Sequence, residues 1–546
     1  MLVISDLCEY VIRMQLRFGL CELCRSVLFR QPSIVSVAKF HLHPALSANA
    51  RAAIKEKHSG SEESPKQVKK VLHISCKRKE YNLYKGFTYG KFENIPLASK
   101  GWHHRKSKGD FFTIQKYKEN PAISDSSETS VTFADTGINS NIIGVLEEQE
   151  ITEPTVIQKD GIPTILEGHN TLLTAETGCG KTLAYLLPMI QQILIWQRLL
   201  TENRFNSPLG VIVSPNRELA IQIGKVAEKF ASKLMFNTQV LTGGHTKRKM
   251  LNPSYEQVDL LVASLGALSK LTTTGIYSMK NVRHVVLDEA DTLLDDSFNE
   301  KLCHFLKRFH FQFKGTNILT SVPPGVQLTL VSATLPTSLP DVLSSVIETE
   351  SLLRVTSNQV HRILPHVPQK FYRLGRSQKP VQLLTMVKQD VVKKHPVIIF
   401  SNKAPTCDWI SMFLNENGVK CVNLNGKMPF DIRTGKLNSF LLGDVDVISC
   451  TDIGSRGIDT IRVKHVINYD FPLYMADYIH RCGRTGRVGS DEGSRVSNLI
   501  VSSREVELVQ KIETAARKMD ALPNVNGNIT RTIKYRILKN LEKESF

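Results

Sequence analysis

The sequence predicts an α/β protein: two tandem doubly wound parallel-sheet domains behind a basic, largely disordered amino-terminal extension. Three observations predict it. Strand-like apolar runs alternate with helical patterns over two separate stretches of chain. In the first stretch a glycine-rich segment, Ala175–Thr182, lies where a strand hands over to a helix. The positive charge is gathered ahead of both stretches: residues 1–110 hold 20 Lys and Arg against 9 Asp and Glu, a net of +11 out of the chain's +18. With 546 residues, 41% of them hydrophobic, the chain can bury cores for several domains. A basic surplus of this size favours a polyanionic partner.

The amino terminus divides in two. From Met14 to Ala52 the bases Arg17, Arg25, Arg30, Lys39 and Arg51 are spaced by apolar, Ser and Ala residues, with Glu22 the one acid. That is the profile of a mitochondrial presequence. Asp6 and Glu9 run against it, and would be absent from a product begun at Met14. Residues 1–52 are therefore expected to be a targeting segment. Residues 53–132 are expected to be a basic extension, with a Ser/Glu/Lys stretch from His58 to Lys70 and basic clusters at Lys77–Lys79 and Arg105–Lys108. Its weak periodicity predicts a disordered or extended chain, serving either as a solvated tail or as an arm that attracts RNA. No apolar run approaches the ~18 residues that span a bilayer, so no membrane insertion is expected. The 10 cysteines are scattered, and Cys21 and Cys24 form the one C-x-x-C. Without a second pair at zinc-ligand spacing, free thiols in a reducing compartment are expected.

In the first block, residues 133–350, the strand-like runs are Thr171–Thr174, Leu209–Ser214, Asp259–Ala263, Val285–Leu287 and Leu328–Ser332, with helical patterns at Leu183–Leu200 and Glu218–Lys233. In the second block, residues 377–516, they are Val397–Phe400, Lys420–Leu424, Val445–Ser449, Lys464–Asn468 and Ser497–Val501, with helices at Ala404–Asn417 and Met475–Arg481. Residues 351–376 are expected to link the blocks, with a cleft between them. Residues 517–546 read as a basic tail, with six bases and one acid between Arg517 and Lys539.

Ala175-Glu176-Thr177-Gly178-Cys179-Gly180-Lys181-Thr182 has the order that nucleotide binding needs. Backbone N–H groups at a helix amino terminus point at phosphate oxygens, and the helix dipole favours negative charge. Gly178 and Gly180 let the backbone approach closely, Lys181 reaches the β- and γ-phosphates, and the Thr182 hydroxyl suits Mg²⁺. Ala175 stands where the generic pattern begins with Gly. A second signal is Val285–Asp291, an apolar strand ending in adjacent carboxylates. Asp288 can hold Mg²⁺ through water, and Glu289 can orient and deprotonate the attacking water.

Asp288-Glu289-Ala290-Asp291, with this loop upstream, resembles the DEAD-box RNA helicases of superfamily two, and further motifs follow in order. Pro154–Gln158 resembles the Q motif and Phe133 its upstream aromatic. Pro215–Ala220 resembles motif Ia, Gly243-Gly244 the following glycine pair, and Ser332-Ala333-Thr334 motif III. Ile398–Asn402, Thr451–Asp459 and His480–Arg487 resemble motifs IV, V and VI. The likeness covers about Phe133 to Val501. It implies two RecA-like domains with ATP between them. Gln158 would recognise adenine, Asp459 the ribose, and Arg484 and Arg487 would be arginine fingers worth ~10³–10⁵ in rate. It also implies single-stranded RNA bound through phosphates and 2′-hydroxyls. Pro215, Arg217 and Gly244 would serve in the first domain, and Asn402, Arg433, Thr451 and Gly457 in the second.

Four residues depart from the family pattern: Ala267 where an RNA-side Arg is usual, Asn216 for the Thr of motif Ia, Ile151 where an aromatic stacks on adenine, and Phe430 for the Gln before Arg433. Within the family, Pro96–Trp102, Leu287–Asp295 and Val509–Arg517 resemble mitochondrial members concerned with large mitoribosomal subunit assembly. That implies mitochondrial large-subunit ribosomal RNA and assembly intermediates as partners. It also implies a matrix location near RNA granules and nucleoids, with nuclei and nucleoli as a further site, and action as a monomer. A DNA-directed motor and a non-catalytic RNA clamp are the alternatives. The complete Asp-Glu-Ala-Asp and Q motif argue against the first, and intact Lys181, Asp288, Glu289, Arg484 and Arg487 against the second.

Overall fold

The computed structural model describes residues 71–525 apart from 91, 124–130, 201–204, 245–250, 254, 295–297, 312–321, 336–338, 340–342, 453–459 and 491. The expected targeting segment, the tail beyond 525, Gly457 and Asp459 lie outside the described residues.

Three short strands come first: β1 (Leu72–Cys76), β2 (Leu83–Tyr84) and β3 (Phe111–Ile114). The first block then supplies β4 (Thr171–Thr174), β5 (Gly210–Ser214), β6 (Thr238–Leu241), β7 (Leu260–Ser264), β8 (His284–Asp288), β9 (Gln327–Ser332) and β10 (Leu353–Thr356). They form one parallel sheet in the order β10-β4-β9-β8-β5-β7-β6. Every residue of β4, β5, β7, β8 and β9 is buried. Helices on both faces require this, and it is why these strands read as unbroken apolar runs rather than alternating ones. β6 was not among the expected runs. Only its Leu241 is buried, at the sheet edge, and Thr238 and Gln239 dilute its apolar signal.

The second block supplies β11 (Gln369–Arg373), β12 (Val397–Phe400), β13 (Cys421–Leu424), β14 (Val447–Cys450), β15 (His465–Asn468) and β16 (Arg495–Ile500), parallel in the order β13-β14-β12-β15-β16-β11. The expected linker is shorter than 351–376. β10 pairs with β4 and β11 with β16, which leaves residues 357–368 to connect the two sheets.

The larger correction concerns the extension. Residues 71–114, apart from 91, are folded onto the second domain. β3 pairs antiparallel with β11 on one side and β1 on the other, and β2 follows, so the second sheet has nine strands. Phe112 stacks on Phe371 at 4.6 Å between ring centroids, and Trp102 is fully buried beside it. The basic clusters that suggested a solvated chain are partly internal ligatures. Arg78 pairs with Asp110 and donates to Ala98 O, and Lys77 donates to Gly109 O.

The helix Ser503–Lys518 completes this junction. Glu513, fully buried, accepts from the backbone N–H groups of Ala98 (2.8 Å) and Ser99 (2.9 Å), from Ser99 Oγ (2.6 Å) and from Arg517 Nε (2.9 Å). Arg517 donates onward to Tyr81 O at 2.8 Å. Arg517, expected to begin a basic tail, is thus a buried structural cation.

Candidate nucleotide and RNA site

The phosphate loop leaves β4 at its carboxyl end, the side on which open parallel sheets bind ligands. Gly178 (φ +82°) and Gly180 (φ +90°) adopt left-handed conformations. Space excludes side chains there as well. A Cβ on Gly178 would lie 2.5 Å from Arg487 Cγ, and one on Gly180 2.6 Å from Gln158 Nε2. Gly180 caps the helix Lys181–Leu199, whose first residue turns its Nζ back to Ala175 O (2.7 Å) and Glu176 O (2.6 Å). Gln158 ties the loop to the preceding helix: Nε2 donates to Gly180 O at 3.0 Å, and Oε1 accepts from Thr155 N at 2.9 Å. Cys179 is buried, and burial pushes its thiol up to about 11. Phe133, read as the upstream aromatic of the Q motif and a nucleotide-binding residue, is packed in the first-domain core at 2% exposure. Ile151 is half-buried against the same core.

β8 delivers the carboxylates to the same edge. Tyr185 Oη donates to Asp288 Oδ2 (2.9 Å), and Glu289 N donates to Asp288 Oδ1 (2.8 Å). Burial, then the charge of Glu289, push Asp288 up to about 6. Glu289 sits at φ +50°, uncommon for a side chain of its kind, and its buried Oε2 has no hydrogen-bond partner. An orphaned anionic oxygen beside a carboxylate of raised pKa suits an added cation. Among the described residues no cluster of three His, Cys, Asp or Glu could hold a metal. The Asp288 carboxylate and the Thr182 hydroxyl are oxygen donors of the kind that suits a hard divalent ion completed by phosphate and water.

Asp291, to which sequence reading gave no role, is a hub. Its Oδ2 accepts from Thr334 Oγ1 (2.7 Å) and Thr334 N (3.2 Å) and lies 3.4 Å from His480 Nε2 of the second domain. Ser332 Oγ donates to Thr334 O, which rigidifies that turn. Both residues were legible as part of a motif, but their pairing across the cleft was not.

The second domain meets the loop directly. Val488 N donates to Gly178 O at 3.0 Å. Gly483 lies so close that a Cβ there would fall 1.3 Å from Thr177 Oγ1. Arg487 lies over Gly178, its Nε donating to Gly483 O at 3.1 Å. Burial lowers its pKa to about 10, opposed by the charge of Glu289, so it stays cationic at neutral pH. Arg484 is also buried, its Nε donating to His480 O at 3.0 Å.

On the adjoining face Arg217 and Arg433 come together from opposite domains. Phe430 lies between them, with guanidinium carbons 5.3 and 5.8 Å from its ring centroid, and Arg433 pairs with Glu218 of the first domain. The departure at 430 thus places an aromatic where it holds two cations. Asn216 caps the helix Arg217–Leu234, its Oδ1 accepting from Leu219 N at 2.8 Å, so it does the work a Thr would do. Ala267 is 2% exposed on the helix Leu265–Thr273 and faces the interior. Asn402 is fully engaged, Nδ2 donating to Phe471 O (3.0 Å) and Oδ1 accepting from Arg481 (2.7 Å). Pro215 and Thr451 are half-buried in loops at strand ends, and Gly244 is exposed at φ +102°.

Two parallel α/β domains, a phosphate loop on one and Arg487 of the other laid across it, define a two-domain P-loop motor. Residues 155–342 match the DEAD/DEAH box helicase family and residues 378–489 the helicase conserved C-terminal domain. The chain is 38% identical over 468 residues to the mouse protein named "Probable ATP-dependent RNA helicase DDX28", spanning 84% of this chain and 86% of that one. The human protein of the same name is 37% identical over the same length. Among solved structures, S. cerevisiae Dbp5 bound to RNA and ADP BeF3 aligns over 75% of this chain and 99% of its own with TM-score 0.59 at 20% identity. DEAD-box helicase Mss116 bound to ssRNA and UDP-BeF aligns over 71% and 79% with TM-score 0.60 at 23% identity. The likeness to these two structures is one of fold. The chain belongs to the DEAD-box family of ATP-dependent RNA helicases.

Proposed function

We propose that this helicase hydrolyses ATP in the cleft between its two domains. Hydrolysis is coupled to gripping RNA and to local unwinding, or to remodelling of RNA–protein complexes, in assembly of the large mitoribosomal subunit. The observation that carries the catalytic part is Arg487 of the second domain lying over the Gly178 loop of the first and feeling the charge of Glu289. Loop N–H groups and Lys181 bind phosphate, which replaces the loop carbonyls as the lysine's partner. Arg484 and Arg487 stabilise charge developing on the transferred phosphoryl group, and Glu289 orients the attacking water and takes its proton. Asp288 and Thr182 would hold Mg²⁺, which would supply charge neutralisation at the phosphates. Gln158 reads adenine, and Arg217, Arg433, Pro215, Gly244, Asn402, Thr451 and Gly457 form the RNA track.

Steady-state ATP turnover with and without single-stranded RNA tests this reading. Glu289→Gln should retain nucleotide and RNA while turnover falls by about 10²–10⁴, the usual worth of a positioned base. Normal turnover by that variant would remove Glu289 from the mechanism. The mitochondrial part rests on the spacing of bases between Met14 and Ala52 and on the resemblance of Pro96–Trp102, Leu287–Asp295 and Val509–Arg517 to mitochondrial members of the family. Residues 1–52 fused to a fluorescent protein should enter mitochondria, and a purely cytosolic or nuclear signal would overturn it.

A further inference from the structure

The chain order of the second domain is unusual in one respect. Its sheet begins with β1–β3, leaves to build the whole first domain, and returns at β11. The first domain is therefore joined to the second at both of its ends. One connection is residues 357–368. The other runs from Ile114 toward Phe133, and its described part is bonded to both domains.

That strap starts on the second domain. Gln115 N donates to His73 O at 2.9 Å, and Tyr117 N donates to Pro365 O at 3.0 Å. It finishes on the first. Ala122 O accepts from Val156 N at 3.1 Å, at the head of the helix that carries Gln158. The Ala122 methyl, 3% exposed, packs with Ile157, Ala175 and Cys179 of the nucleotide loop region, and Val488 of the second domain closes over the same cluster. Between these ends the Gly486 carbonyl, next to Arg487, accepts from His366 Nε2 at 2.7 Å, and Asn120 Nδ2 lies 3.5 Å from it. The strap thus meets the adenine-side helix, the phosphate loop and the arginine segment in one small apolar patch.

We infer that residues 115–122 are a positioning element of the ATP site: docked Ala122 holds the two halves of the cleft in register before ligands bind. The inference rests on the interdomain ATP site proposed above. A two-domain motor tethered once must find the closed arrangement from a wide ensemble, and that search lowers its apparent affinity by the fraction of competent molecules. A second tether, anchored within the site, narrows the ensemble. The strap bears on the nucleotide side of the cleft, through Ala175, Cys179 and the helix that carries Gln158, so it should act on ATP affinity and leave the chemical step alone.

Two substitutions in the full chain release it. Ala122→Glu places a charge in the apolar patch, where it is too costly to keep. Val156→Pro removes the N–H that Ala122 O accepts, at the first position of a helix, where proline is tolerated. Single-molecule energy transfer between dyes at exposed Lys229 and Lys388 reads interdomain distance without nucleotide, and steady-state kinetics separate KM from kcat. Both variants should broaden the distance distribution and raise the KM for ATP about tenfold, with kcat at saturating ATP and RNA within twofold of the parent. Unchanged distances and KM overturn the inference. Broadened distances with unchanged KM also overturn it, since the strap would then tether without positioning. If the parent itself hydrolyses no ATP, the catalytic reading fails. Fluorescent-nucleotide affinity, weakened in the variants or not, then decides the strap by itself.

Discussion

Asp288 shows how one residue's environment sets its task. Its carboxyl is buried beside Glu289, and both effects favour the protonated form, raising it to about 6. A carboxylic acid is neutral below its pKa and anionic above it, so the group holds a cation well at pH 7.5 and poorly at pH 5. Fluorescent-nucleotide binding in Mg²⁺ should weaken as pH falls through about 6, with a step that disappears in EDTA. An identical step without Mg²⁺ would assign the titration to another group. His480 and Asp291, 3.4 Å apart across the cleft, make the same point about pairing. Each was visible within its motif, but which residue faces which depends on how the two domains stack.

At the scale of elements, the phosphate loop and the paired carboxylates were legible because their chemistry is local: a strand, a turn of small residues and a helix start must be contiguous to cradle phosphate. β6 and β11 were not, because polar residues interrupt their apolar signal. The folded part of the extension was missed because Lys77, Arg78 and Lys79 crowd its strands, and the partners of Lys77 and Arg78 cannot be read from composition. Phe111–Ile114 and Trp102 were the available signals. The junction it makes with the helix Ser503–Lys518 depends on one buried carboxylate. Glu513→Ala would strand the buried Arg517 charge and two backbone N–H groups, a loss of about 3–5 kcal/mol for a broken buried pair. Chemical denaturation should register it, and limited proteolysis should open residues 71–110 before the parallel strands of either sheet. Equal resistance in parent and variant would show that Phe112 and Trp102 alone hold the addition.

For the whole molecule, the division of labour between domains has a direct consequence. Lys181, Asp288 and Glu289 lie in one and Arg484 and Arg487 in the other. A first-domain fragment should therefore have almost no RNA-stimulated turnover. It is best cut as residues 131–357, because β1–β3 bury their apolar faces on the second domain and would be exposed in any fragment that kept them. Full turnover by 131–357, measured against the intact chain, would dismiss the interdomain site.

By itself the sequence determined the two α/β domains, the phosphate loop, the acidic strand end and the order of the helicase motifs, since each is a run of neighbouring residues whose types carry the chemistry. Only the tertiary structure decided that the basic extension completes the second sheet, that Arg517 and Glu513 are its anchor, that Phe430 lies between Arg217 and Arg433, and that Ala122 reaches the nucleotide loop. Each depends on a contact between residues tens to hundreds of positions apart, such as Glu513 with Ala98 and Phe430 with Arg217. Their partners are chosen by which sheet edge is open, which cavity an apolar ring fills and which buried charge needs neutralising, and no local pattern in the chain encodes these.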